Sequence, residues 1–167
     1  KDAGYRTAAF VGAFVLDRRF GLAEGFDRYD DQIPRDPDAT ERLEAERPAS
    51  AVIDRALSWL TNQPSGTGNQ PFFVWVHLYD PHAPYTPPQE FAARAKTPYD
   101  GEVAYADAQF ARLLDALRAR GDLDRTLVVV AGDHGEGLGD HGERTHGMLL
   151  YDSTLRVPLV IVAPGVQ

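Results

Sequence analysis

The chain contains no cysteine. A disulfide framework and a thiolate metal site are therefore both excluded, and redox chemistry says nothing about the compartment. No apolar run approaches the roughly 18 residues needed to cross a bilayer as a helix. Basic charge is also short, with 17 Lys and Arg against 25 Asp and Glu and a net charge of −8. That argues against a nucleic-acid binder, which needs a basic face. It leaves an anionic substrate open, because a metal ion and helix N-termini can reverse the local field. The first residue is Lys1 rather than Met, and no signal-peptide pattern precedes the first strand. Ala3-Gly4 reads as the C-terminal stop of a helix whose body is missing. The chain is thus expected to be an internal fragment.

What is present is ordinary for a globular protein. The 167 residues are 43% hydrophobic and 25% charged, enough for one domain with a real core. The expected organisation is a single partial domain over 1–167, with a flexible linker at about 63–71 where Pro64-Ser-Gly-Thr-Gly-Asn-Gln-Pro71 is rich in breakers.

Periodicity places the elements. Tyr5–Val11 is a strand candidate, Gly12–Arg19 a helical turn, Gly21–Asp31 a loop whose Phe26 and Tyr29 cover core, and Pro34–Thr40 an irregular connection. Val52, Ile53, Ala56, Leu57 and Leu60 fall on one face of a helix over Ala49–Leu60. Phe72–Tyr79 is apolar on both alternating faces, as a central parallel strand is. A helix over Gly101–Arg120 carries the stripe Val103, Ala106, Phe110, Leu113, Leu114 and Leu117, with Glu102 and Asp107 as solvated face or local caps, and Gly121 ends it. Leu127–Ala131 and Pro158–Ala163 are further strands. Strand, helix, strand over 72–131 predicts a βαβ unit with parallel strands. The loops after Tyr79 and Ala131 are then expected at one carboxyl edge, where open α/β sheets bind ligands.

Those two loops carry the chemistry. Six glycines and three of the five histidines fall between Gly132 and Gly147. Asp133 and His134 pair a carboxylate with an imidazole, a donor set that suits Zn, Mn or Fe and, less readily, Ca. The plainer reading makes Asp133 the cap of a surface turn. His146 is a second ligand, a donor to substrate oxygens, or a histidine at a helix start, and His141 faces solvent. His82 sits in Asp80-Pro-His82-Ala-Pro-Tyr85, where flanking prolines fix the backbone. A rigidly aimed His suits a general acid or a proton donor to a non-bridging oxygen. Asp80 either orients it or binds a second metal. His77, mid-strand among aromatics, reads as core.

Three stretches resemble the sulfatase family of the alkaline phosphatase superfamily. They are Phe73-Val-Trp-Val-His-Leu-Tyr-Asp-Pro-His-Ala-Pro-Tyr-Thr-Pro-Pro88, Tyr99-Asp-Gly-Glu-Val-Ala-Tyr-Ala-Asp107, and Asp133–Gly147 running into Leu155-Arg-Val-Pro-Leu-Val-Ile-Val-Ala-Pro-Gly165. Ala3–Gly12 and Gly21–Asp31 also fit. The resemblance implies an α/β three-layer sandwich with a mostly parallel sheet, alkaline-phosphatase-like and incomplete at the N-terminus. It implies that Asp133 and His134 hold one divalent metal ion, Mn, Zn or Ca, with His134 leaning toward Mn or Zn. It also makes His82 and His146 the groups that contact the ester or protonate the leaving oxygen.

The implied activity of the parent protein is sulfuric ester hydrolysis. Many sulfatases carry a Lys near His146. A His there resembles the phosphoethanolamine-transferase relatives, so a metal-dependent phosphatase, phosphodiesterase or phosphoethanolamine transferase stays open, as does a non-catalytic truncated or degenerate module. The implied partners are a sulfate or phosphate ester and the missing N-terminal part of the same domain. The family's nucleophile lies upstream, as a formylglycine formed within Cys/Ser-x-Pro-x-Arg or as a Thr or Ser, and no such formylglycine motif occurs here. The fragment alone is therefore expected to be inactive. The parent is expected to be exported or membrane-associated by resemblance only.

Overall fold

The structure, a computed structural model, describes residues 2–33, 45–64 and 70–165. The connection expected at Pro34–Thr40 and most of the expected linker lie outside them. The chain divides into two compact units, Lys1–Gly121 and Asp122–Gln167.

In the first unit, β1 (Arg6–Val11) is flanked by β2 (Arg28–Asp30) and β3 (Phe72–His77), in the order β2-β1-β3, all parallel. Ala8 of β1 lies opposite Arg28 on one side and Val74 on the other. Central position explains composition: Ala8, Ala9, Phe10 and Val11 are wholly buried, as a strand covered on both faces must be. Period two sends Ala9 and Val11 to one face, against Tyr29, Phe26 and Trp75, and Phe10 to the other, against Trp59 of α1 (Ala49–Thr61). The connection from β1 to β3 contains α1, so the parallel pair with its crossover helix is β1-α1-β3.

Helix α1 buries Val52, Ile53, Ala56 and Leu60, the stripe expected from the sequence. Its first N–H groups, which no helix can satisfy internally, find partners from distant segments. Asp80 Oδ2 accepts from Ala49 N at 2.9 Å, and Tyr105 Oη accepts from Ser50 N at 3.0 Å. Asp80 is thus a cap on α1. A short helix α2 (Gln89–Ala92) precedes α3 (Pro98–Ala119). Helix α3 starts earlier than its apolar stripe suggests, because Thr97 accepts from Asp100 N and Pro98 occupies the first turn. Its buried face runs through Glu102, Tyr105, Leu113 and Leu117, while Val103 is exposed.

The carboxyl edge of the sheet is closed by a buried ion pair. Arg47 Nη1 donates to Asp30 Oδ1 at 2.7 Å and its Nη2 donates to Val11 O at 2.8 Å, with both side chains at most 5% exposed. Arg28 adds a bond to Asp30 Oδ2 at 3.0 Å. Burial pushes the Asp30 carboxyl up, but the Arg47 and Arg28 hydrogen bonds outweigh it and hold it below the ordinary aspartate value. Arg18 does the same for Asp31 with less opposition from burial.

In the second unit, β4 (Val128–Ala131) pairs antiparallel with β5 (Leu159–Val162). The βαβ unit expected over 72–131 spans both units, with β3 in the first and β4 in the second. All four residues of β5 are more than half exposed. A short helix, α4 (Asp152–Leu155), precedes β5.

Arg47→Ala should destabilise the first unit by about 3–5 kcal/mol, the usual cost of stranding a buried charge, read by urea denaturation at pH 7. Asp30 and Asp31 also carry a sign. Their folded pKa lies below the unfolded one, so the unfolded chain binds more protons in acid. Their contribution is full above about pH 4 and is lost as pH falls below the ordinary aspartate value. Denaturation midpoints should drop there, and less steeply in Asp31→Asn than in wild type.

Candidate active-site loops

The loop after β3 is held through its backbone. Glu102, only 4% exposed, accepts from His82 N at 3.1 Å and from Thr86 N at 2.6 Å. Burial pushes the Glu102 carboxyl up, and the two N–H groups pull it partly back. Glu102 therefore belongs to the site's support rather than to the solvated face or local cap expected for it. The signal was available as a carboxylate one turn before Tyr105 on what proves to be the buried face. Asp80 is also raised by burial, against the pull of the Ala49 amide.

The His82 ring is fixed at both nitrogens. Nδ1 lies 2.7 Å from Ala83 O, and since a carbonyl only accepts, Nδ1 carries the proton. Nε2 is then the acceptor, 3.0 Å from the Tyr79 hydroxyl, whose ring stacks on the imidazole with centroids 4.0 Å apart. Tyr79 was not singled out from sequence. His77 lies in the strand between the rings of Trp75 and Tyr79.

The glycine-rich loop after β4 folds back on itself and on α4. Gly135 N donates to Thr154 O at 2.8 Å and Glu136 N to Ser153 O at 3.0 Å. A Cβ on Gly135 would lie 2.1 Å from Ser153 O, and one on Gly137 would lie 2.6 Å from Thr145 O. These glycines serve close backbone approach. Glu143, buried, accepts from Met148 N at 2.7 Å and from Leu149 N at 3.2 Å. Two backbone amides on one carboxylate repeat the Glu102 arrangement.

Within this loop Asp133 and His134 come together. His134 Nδ1 is 2.8 Å from Gly135 O, so it holds the proton and leaves the lone pair on Nε2, which is 3.8 Å from Asp133 Oδ1. Asp133 is 79% exposed at its side chain. A metal ion bonded at about 2.1 Å to both donors fits that separation. The pair supplies two donors of a shell; among the described residues no group of three or more His, Cys, Asp or Glu is set to hold an ion. His146 stacks on His134 with centroids 3.9 Å apart, and its Nδ1 lies 3.2 Å from Glu136 Oε2. His141 is half exposed, as expected, and stacks on Tyr151.

Asp133, His134 and His146 are therefore brought together in the second unit, and His82 belongs to the first. Gly135→Ala should cost about 1–3 kcal/mol through forced backbone shifts. In NMR spectra the displaced amides should be those of 134–136 and 153–155.

The chain is 24% identical over 159 residues to an arylsulfatase of Clostridium perfringens, covering 71% of this chain and 32% of that protein. It is 36% identical over 83 residues to human (Homo sapiens) iduronate 2-sulfatase, covering 49% of this chain and 15% of that protein. The chain thus spans a third or less of these curated relatives. Among solved structures, the phosphonate monoester hydrolase of Agrobacterium radiobacter superposes with a TM-score of 0.71 at 18% identity, over 98% of this chain and 51% of that one. This last likeness is one of fold, and it bears out the α/β, alkaline-phosphatase-like architecture. The family model described as Sulfatase matches residues 1–167, and the chain belongs to the sulfatase family.

Proposed function

We propose that this chain supplies the metal-binding and ester-contacting part of a divalent-metal-dependent sulfuric ester hydrolase. The observation that carries the reading is the Asp133–His134 pair, a carboxylate and a bare imidazole nitrogen 3.8 Å apart on a backbone fixed by Gly135, in a chain of this family. Asp133 and His134 would hold the ion, with the imidazole favouring Mn or Zn over Ca. Bound there, a divalent ion supplies Lewis-acid polarisation of the ester group. The residues of this chain do the rest. Glu102 holds the His82 backbone in place, and Tyr79 and Ala83 fix its ring with the proton on Nδ1, so that a second proton taken up at Nε2 would serve the leaving oxygen. His146, stacked on His134, would meet a non-bridging oxygen when it is also protonated at Nε2.

Ester cleavage also needs a nucleophile. The chain has no cysteine and no Ser-x-Pro-x-Arg sequence to become formylglycine, so we assign the nucleophile to a part of the protein outside these residues. The exposed apolar residues of β5 support a further polypeptide of the same domain packing against this sheet. A phosphate or phosphonate ester is the second reading. It is favoured by His146 where many sulfatases carry Lys.

Calorimetric titration with Mn2+ or Zn2+ should show binding to the wild-type chain and at least a tenfold weaker response in Asp133→Ala and His134→Ala. Equal binding by wild type and both variants would remove the metal assignment. The purified chain should not hydrolyse 4-nitrophenyl sulfate, 4-nitrophenyl phosphate or a phosphonate monoester, with or without metal. Turnover by this chain would place the nucleophile within it, and the favoured ester would decide between the two readings.

A further inference from the structure

Glu136 has no role in the reading above, yet it is built into the loop with care. Its side chain is only 6% exposed although it lies in a glycine-rich loop. Both carboxylate oxygens face one atom, His146 Nδ1, at 3.2 and 3.3 Å. Its own N–H donates to Ser153 O at 3.0 Å, which ties its backbone to the segment that starts α4. The His146 ring it meets lies against His134 at a centroid distance of 3.9 Å and an interplanar angle of 29°.

We propose that Glu136 is the positioning residue of His146. A carboxylate accepts, so the proton between them belongs to His146 Nδ1. The neutral ring is then confined to one tautomer, and Nε2 is the nitrogen presented away from Glu136. The carboxylate also removes ring flips, since a flipped imidazole would set a carbon against both oxygens. The neighbouring His134 has the same tautomer by a different means, its Nδ1 donating to Gly135 O. Two stacked imidazoles thus follow one rule: each gives its Nδ1 proton to an acceptor within the loop. Histidines with a chemical task commonly have the second nitrogen fixed in this way.

This inference rests on the reading of the loop as an ester site, but its test needs neither metal nor substrate. Long-range 15N–1H correlation spectra of the metal-free wild-type chain, taken where the imidazole is neutral, report which nitrogen of His146 is protonated. The expected result is the Nδ1–H form. Glu136→Ala should move His146 to a mixture of tautomers, while Glu136→Gln should restore Nδ1–H, because the amide oxygen accepts as the carboxylate does. The His134 signals should keep Nδ1–H in both variants, a control that a general loosening of the loop would not pass. A wild-type His146 in the Nε2–H form, or a tautomer indifferent to Glu136→Ala, would overturn the proposal. Should Glu136→Ala not fold, the wild-type and Glu136→Gln spectra decide it. Failure of the ester-site reading shows elsewhere, as absence of metal binding, and leaves the tautomer result standing.

Discussion

A buried carboxylate that accepts two backbone amides holds each of the loops on which candidate site residues stand. Glu102 takes the amides of His82 and Thr86, and Glu143 takes those of Met148 and Leu149. The choice of carboxylate has a physical reason. Its two oxygens accept from donors arriving from different residues, whereas an amide side chain offers one acceptor and sets N–H against N–H at the other. Desolvation opposes the charge, as the raised Glu102 carboxyl shows. Bonds to a charged acceptor contribute more than neutral ones and offset part of that cost. Because these anchors use backbone donors, the imidazoles of His82 and His146 are left for chemistry.

The histidines then divide by their surroundings rather than by their own backbone. His82 and His134 use one local device, each giving Nδ1–H to the carbonyl of the next residue. What meets Nε2 differs. For His82 it is the Tyr79 hydroxyl, which donates to the Nε2 lone pair. For His134 it is the side of the loop shared with Asp133, a donor set that asks for a cation. One tautomer thus stands in two different surroundings, and on the reading proposed above the neighbour would select the task.

Much of this was legible in the sequence, for reasons that particular residues make plain. β1 is an apolar run because both its faces are covered, and α1 shows a clean stripe because it packs on one side only. β2 was read as loop. Arg-Tyr-Asp has no apolar run, and its strand character comes from pairing with Ala8–Phe10 and from the ion pair at Asp30, both long-range. The start of α3 was hidden by an apolar stripe that begins later, although Thr97-Pro98 marks it. Its buried face was misjudged at Glu102 because a carboxylate inside a fold is visible only with its amide donors. The pairing of β4 escaped because periodicity identifies a strand but not its neighbour. Asp133, His134 and His146 were legible as a set. Their supports Glu136 and Glu143 were not, since in a loop rich in charge nothing in the sequence separates a structural carboxylate from a solvated one.

The charge of that loop bears on what it can accept. Between Gly132 and Gly147 there are four carboxylates, Asp133, Glu136, Asp140 and Glu143, and one arginine, Arg144. Glu143 is occupied by backbone amides and Glu136 by His146, so neither is turned toward a ligand. Asp133 remains outward, beside an imidazole whose exposed nitrogen is a lone pair. Such a surface repels an ester anion and attracts a cation, and it becomes hospitable to sulfate or phosphate only after a divalent ion reverses the local sign. The order of events follows from electrostatics. On the reading proposed above, a divalent ion held by Asp133 and His134 would reverse that sign, so an ester would be accepted after the ion rather than before it.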